Sequence, residues 1–157
     1  MRNSLASELY QQMSVNKDIW CLADGVGYGV LDTIRKDFPD RFIDTEASEQ
    51  AMMDIAVGLA LSGKIPFVYA ITPHLYRAFE SIRNYVDHEQ IAVKIVGVGR
   101  DRDYLKLGFS HWAEDDKAIF DIFSHIVQLR PETKEEIPKM VQRMVEEPVP
   151  FYLNLRR

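Results

Sequence analysis

The sequence predicts an α/β domain with a mostly parallel sheet and helices on both faces, and three observations carry that prediction. First, short apolar runs such as Ile19–Ala23, Ile65–Ile71 and Ala92–Val98 have the continuous character of strands buried on both faces. Second, segments of helical periodicity separate those runs from end to end, which implies crossover helices and a parallel sheet. Third, 157 residues with 46% apolar and 27% charged side chains suffice for one complete core. No repeat, low-complexity tract or linker divides residues 1–157, so a single domain is expected.

Ser4–Met13 places Leu5, Leu9 and Met13 on one helical stripe. Asp18–Ala23 is the first buried strand, Asp24–Gly29 (DGVGYG) a loop, and Val30–Lys36 the start of a second helix. Phe38-Pro39-Asp40 stops that helix, because proline disfavours helix at the residue before it. Arg41–Asp44 is a short strand. In the helix that follows, Met52, Ile55, Ala56 and Leu59 recur at three- and four-residue steps and are expected on one face. Gly58 and Ala60 keep another face small enough for close approach to a sheet. Gly63 supplies a left-handed helix end, with Lys64 close to the negative end of the dipole.

Ile65–Ile71 is strand-like, with Pro66 at its start. His74–Val86 is expected to be helical, Ala92–Val98 a buried strand, Arg100–Ser110 a polar loop and Ala113–Ile122 a helix. Ser124–Leu129 is a further strand, and Thr133–Glu136 resembles a capping box ahead of a last helix. Val149–Leu155 closes the sheet.

A net charge of −5 argues against nucleic-acid binding, which relies on clustered Lys and Arg. No apolar run approaches the roughly 20 residues of a membrane span, and the first residues lack a signal-peptide core. The single cysteine, Cys21, lies in an apolar run and suits the cytosol. In parallel sheets ligands bind beyond the carboxyl ends of the strands. The loops after Ala23, Asp44, Ile71 and Gly99 fall on that edge.

Residue spacing alone assigns little chemistry to those loops. G-V-G-Y-G lacks the spacing of a dinucleotide fingerprint and reads as a tight turn, and there is no P-loop lysine. Glu46 and Glu49 stand at a helix N-terminus, where acids are favourable for the dipole alone. His74, His88, His111 and His125 show no metal-ligand spacing, so no metal site is expected in the chain. No G-x-S-x-G elbow or Cys/His pair is present.

Two stretches carry a family resemblance. Glu46–Phe67 (EASEQAMMDIAVGLALSGKIPF) resembles the G-I-A-E-Q stretch, A-x-G-L-A helix and G-x-x-P turn of transketolase-type thiamine diphosphate enzymes. Gly108–Asp115 (GFSHWAED) resembles their D-G-x-T-H-Q-x-x-E-D block, and Pro150–Leu155 resembles the strand that ends their pyrimidine-binding domain. The resemblance runs the length of the chain. It implies the thiamine diphosphate-binding fold, with this chain as the pyrimidine domain standing alone. Those enzymes hold the cofactor diphosphate and Mg²⁺ on a second domain through a G-D-G…N motif, and no Gly-Asp-Gly occurs here. The resemblance therefore implies a diphosphate-binding partner subunit, a split enzyme assembled as a heterotetramer, and no C-terminal family domain.

On that resemblance Glu49 is the catalytic carboxyl that engages the cofactor aminopyrimidine and favours the tautomer able to accept a proton from the thiazolium carbon. Apolar neighbours such as Met52 and Met53 would help the carboxyl share a proton with the ring. His74, Arg77 and Met52 are implied to line the cofactor, and His111 to contact substrate and assist proton transfer. Arg100 corresponds to a substrate-phosphate arginine. Tyr28 takes the place of a serine near that phosphate, and Leu107 that of the aspartate before the motif glycine. These departures imply a sugar or 2-oxo acid substrate of altered shape or polarity. The implied activity is transfer of a two-carbon ketol unit. The alternatives are a 2-oxo acid decarboxylase subunit and a non-catalytic regulatory or assembly subunit of the same fold.

Overall fold

The computed structural model describes residues 1–157 and contains a six-stranded, all-parallel sheet in the order β2-β1-β3-β4-β6-β5. The strands are β1 (Ile19–Ala23), β2 (Phe42–Asp44), β3 (Ile65–Ile71), β4 (Lys94–Val98), β5 (Val127–Leu129) and β6 (Phe151–Leu155). The helices are α1 (Arg2–Val15), α2 (Asp32–Asp37), α3 (Glu49–Leu61), α4 (Phe79–Ser81), α5 (Asp116–Phe120) and α6 (Ile137–Glu146).

Strand side chains alternate between two cores, as the pleat requires. Cys21, Phe67, Tyr69, Val96, Leu153 and Leu155 pack with Leu5, Leu9 and Met13 of α1, Ile34 of α2 and Val141 of α6. Leu22, Val68, Ala70, Ile95 and Tyr152 pack on the other face with α3, Leu75, Ile82 and Phe120. Helices therefore cover both faces, as the continuous apolar strands foretold. No helix is long and apolar enough to cross a membrane.

Five local expectations are corrected. Met52, Met53, Ala56 and Val57 form the buried stripe of α3, whereas Ile55 is exposed. At about 100° per residue that stripe is centred between i/i+1 and i+4/i+5 and turns Ile55 outward. Gly58 is exposed too, with no atom within 4 Å of where a Cβ would stand, so it permits no close approach inside this chain. His74–Val86 is not one regular helix: Thr72–Ala78 is 3₁₀, α4 is a single turn, and Ile82–His88 is a π-helix. The expected helix Ala113–Ile122 and strand Ser124–Leu129 contract to α5 and β5. The capping box at Thr133–Glu136 is present ahead of α6, and Gly63 adopts a left-handed φ of 78°.

Gly97 of β4 sits beneath a buried polar group: a Cβ there would lie 2.8 Å from Thr72 Oγ1 and 2.9 Å from Tyr152 Oη. Gly97→Ala is therefore expected to cost about 1–3 kcal/mol, the usual range for overpacking, measured by urea unfolding.

Lys94 is 2% exposed, and its amine donates to the carbonyls of Glu147 (2.7 Å) and Val149 (2.6 Å) rather than to a carboxylate. Burial lowers its pKa to about 8. The unfolded lysine keeps its proton to about pH 10.4, so between these values the unfolded chain binds more protons and stability rises with pH. Urea midpoints should show this gain, on the order of 3 kcal/mol at its limit, in the wild type and not in Lys94→Met.

Candidate active site at the carboxyl edge of the sheet

Asp44, the last residue of β2, organises this edge. Its Oδ1 accepts the N–H groups of Gly25 (2.8 Å) and Glu46 (3.0 Å), while Oδ2 accepts Arg35 Nη2 at 2.9 Å. The loop after β1 is thereby tied to the turn that enters α3. Glu46 takes a left-handed φ of 50°, and its carbonyl accepts Ser48 N–H at 2.8 Å. That sharp turn delivers Glu49 at the first position of α3, 2% exposed.

The 3₁₀ helix after β3 supplies the next two groups. Three residues per turn bring positions i and i+3 to the same side, and His74 and Arg77 have that spacing. Arg77 Nη1 donates to Glu49 Oε1, and His74 Nδ1 lies 3.6 Å from the same oxygen. His74 Nδ1 also lies 3.4 Å from Oδ2 of Asp24, the residue directly after β1. The Asp24 side chain has no exposed surface, and its Oδ1 has no hydrogen-bond partner. Burial raises the Asp24 pKa; His74 opposes that shift and Glu49 adds to it. The ligand atoms of Asp24, Glu49 and His74 all lie within 4.8 Å of one another.

His111 completes the group from the Gly108–Asp115 block. Its ring meets that of His74 edge-on at 5.2 Å between centroids, and Ser110 Oγ lies 2.9 Å from its Nδ1. Its pKa is lowered by burial first, then by His74 and Arg77. Tyr76 Oη donates to Asp115 at 2.9 Å, which locks the 3₁₀ helix to this block.

Four of the residues expected at a site therefore converge: Glu49, His74, Arg77 and His111. The other three do not join them through any bond. Met52 has no exposed surface and packs in the core beneath α3. Arg100 is 4% exposed, and its guanidinium donates to Asn154 Oδ1, to the carbonyls of Asn154 (2.8 Å) and Pro131 (2.7 Å), and to Glu132 (2.9 Å). Those donors are spent on tying β6 to the segment before α6. Tyr28 is 70% exposed and carries the Arg35 guanidinium over its ring. Sequence reasoning misses Asp24 as a site residue, and its only signal is its place at the carboxyl end of a fully apolar strand.

The site is an open edge rather than an enclosed cavity. Arg77 is 61% exposed over the buried Glu49, and Leu105, Leu107 and Phe109 stand exposed on the segment that carries His111.

The family model "Transketolase, pyrimidine binding domain" matches residues 1–157. One of the subunits of an apulose-4-phosphate transketolase from Phocaeicola vulgatus is 29% identical over 99% of this chain and 51% of its own length. A putative transketolase C-terminal section from Methanocaldococcus jannaschii is 32% identical over 78% of this chain and 39% of its own. The chain thus spans about half or less of these curated relatives. Among solved structures, a split-gene transketolase described as an inactive beta4 tetramer superposes with a TM-score of 0.86 at 28% identity, over 99% of this chain and 51% of that one. Campylobacter jejuni transketolase superposes at 0.89 with 16% identity, over 99% of this chain and 25% of that one, a likeness of fold. With a buried glutamate at the start of α3 and a whole-length family match, the chain belongs to the transketolase pyrimidine-binding domain family.

Proposed function

We propose that this chain is the pyrimidine-binding component of a split, thiamine diphosphate-dependent transketolase-like enzyme that transfers a two-carbon ketol unit. The observation that carries the reading is Glu49, a carboxyl 2% exposed at the carboxyl edge of a parallel sheet. A carboxylate oxygen of Asp24, whose Oδ1 has no hydrogen-bond partner, stands within 4.8 Å of one of Glu49. A buried acid beside an open edge fits the ring nitrogen of an aminopyrimidine, and an orphan acceptor fits a polar ligand better than solvent-free apolar packing.

The cofactor, when bound, supplies a carbanion equivalent that adds to a carbonyl and stores charge. The chain's own residues do the rest. Glu49 would hold the pyrimidine nitrogen and share a proton with it once Arg77, which now donates to its carboxyl, moves aside. His74 flanks that contact from the 3₁₀ helix. His111, whose pKa is lowered by burial, His74 and Arg77, offers a base to a substrate hydroxyl. We assign Mg²⁺ and the cofactor diphosphate to a second, diphosphate-binding component bearing the family's Gly-Asp-Gly…Asn motif, which residues 1–157 do not contain. Exposed Leu105, Leu107 and Phe109 beside His111 support a partner that covers the edge. A heterotetramer of two chains of each kind in the cytosol is the assembly proposed, and the buried free Cys21 supports that compartment. The substrate class is a sugar or a 2-oxo acid. We assign Arg100 a structural role, because its guanidinium is already bonded.

Affinity purification from the native host with mass spectrometry should recover a chain bearing Gly-Asp-Gly…Asn. The reconstituted pair should then transfer ketol units only with thiamine diphosphate and Mg²⁺. Carbon dioxide release from a 2-oxo acid without an acceptor would identify the decarboxylase instead, and cofactor binding indifferent to Glu49→Ala would identify a non-catalytic subunit.

A further inference from the structure

Asp24 follows β1, Glu49 opens α3 and His74 lies on the 3₁₀ helix after β3, yet their ligand atoms converge within 4.8 Å. His74 Nδ1 lies 3.4 Å from Asp24 Oδ2 and 3.6 Å from Glu49 Oε1. Both separations are long for hydrogen bonds, and one imidazole N–H cannot serve two carboxylates well. These two separations fit edges of a metal tetrahedron, for which bonds of about 2.0–2.2 Å place neighbouring ligands about 3.3–3.6 Å apart, and the third pair, Asp24 and Glu49, lies within 4.8 Å. Asp24 adds an independent sign, since its side chain has no exposed surface and Oδ1 lacks any partner. Two buried carboxylates meet here, and the only full cation on them is Arg77, whose side chain is 61% exposed and can swing into solvent. A divalent ion would neutralise both carboxylates and replace that guanidinium.

We propose that Asp24, Glu49 and His74 form a site for a divalent transition-metal ion, zinc foremost, in the free chain. One imidazole and two carboxylates with a fourth position open to solvent is a zinc-type donor set. Mg²⁺ and Ca²⁺ demand six or more oxygen ligands, so the site discriminates against them. Long stretches of sequence separate the three ligands, which is why no local spacing announces them. Because Glu49 is shared, the ion and an aminopyrimidine exclude one another, a consequence that rests on the function proposed above. Metal binding is tested on the free chain without cofactor, so the two readings stand or fall separately.

Isothermal titration of the metal-free chain with ZnCl₂ should show one site of about micromolar affinity or tighter. Asp24→Asn and His74→Gln should each weaken it at least about 10-fold, while His125→Gln, at a surface histidine, leaves it unchanged. MgCl₂ should give no binding. A second measurement needs no variant: Co²⁺ added to the wild type should develop the intense visible bands of four-coordinate cobalt. The proposal is overturned by an absence of zinc binding, by wild-type affinity in Asp24→Asn or His74→Gln, or by cobalt spectra of the six-coordinate aqueous type.

Discussion

Replacing Glu49 by alanine in the reconstituted enzyme is expected to lower turnover by at least about 10²-fold, the lower end of what a positioned acid–base group contributes. The partner affinity and the fold should survive. Glu49 contributes to the fold as an acid in the first turn of α3 and through its bond from Arg77. An N-terminal acid is worth only about 0.3–1 kcal/mol, and Arg77, already 61% exposed, re-solvates without leaving a buried charge. Glu49→Gln sharpens the comparison. It preserves the shape and a hydrogen bond but cannot share a proton, so its loss should approach that of alanine. Steady-state ketol transfer, with thermal unfolding as the control, separates this outcome from a packing role, for which glutamine would restore most of the activity.

Asp116→Ala should produce the largest loss of stability, up to about 3–5 kcal/mol, because it removes the buried member of an ion pair with the partly exposed Arg130. Asp116 is 3% exposed. Its Oδ2 accepts Arg130 Nη2 at 2.6 Å and Tyr152 Oη at 2.9 Å. Asn154 Nδ2 in turn donates to Tyr152 Oη (3.0 Å) and Thr72 Oγ1 (3.3 Å), and Arg100 closes the chain on Asn154. Phe120 of α5 stacks on Tyr152 with centroids 3.5 Å apart. Alanine would strand the Tyr152 hydroxyl and the Arg130 guanidinium together, whereas Asp116→Asn keeps an acceptor and should cost less. For a domain of this size each kcal/mol moves the Tm by about 2–4 °C, so calorimetry should register the difference clearly. Since Thr72 begins the 3₁₀ helix that carries His74 and Arg77, activity at permissive temperature should fall in both variants.

How legible this molecule is depends on how far apart its interacting residues lie. Ile19–Ala23, Ile65–Ile71 and Phe151–Leu155 declare themselves as strands because burial on both faces needs nothing beyond local composition. The Thr133–Glu136 cap is equally local. The segment after Ile71 misleads because apolar spacing does not distinguish α from 3₁₀ and π turns over short lengths, and here it is the 3₁₀ turn that aligns His74 with Arg77. Ile55 belongs to an apolar stripe that fits two helical phases equally well, and the fold selects the phase that exposes it. Glu49 and His111 become visible only through family resemblance, since an acid at a helix start has an ordinary dipole explanation. Asp24 and the bonded state of Arg100 are out of reach of sequence: their partners, His74 and Asn154, lie 50 and 54 residues away.

The central proposal is that Glu49 activates the bound cofactor. Exchange of the thiazolium C2 proton for deuterium, followed by quenched-flow NMR on the reconstituted complex, measures that activation without any substrate. The wild-type complex should exchange at least about 10²-fold faster than the Glu49→Gln complex, which should approach free thiamine diphosphate. Equal exchange rates in the two complexes, with the cofactor shown to be bound in both, would contradict it.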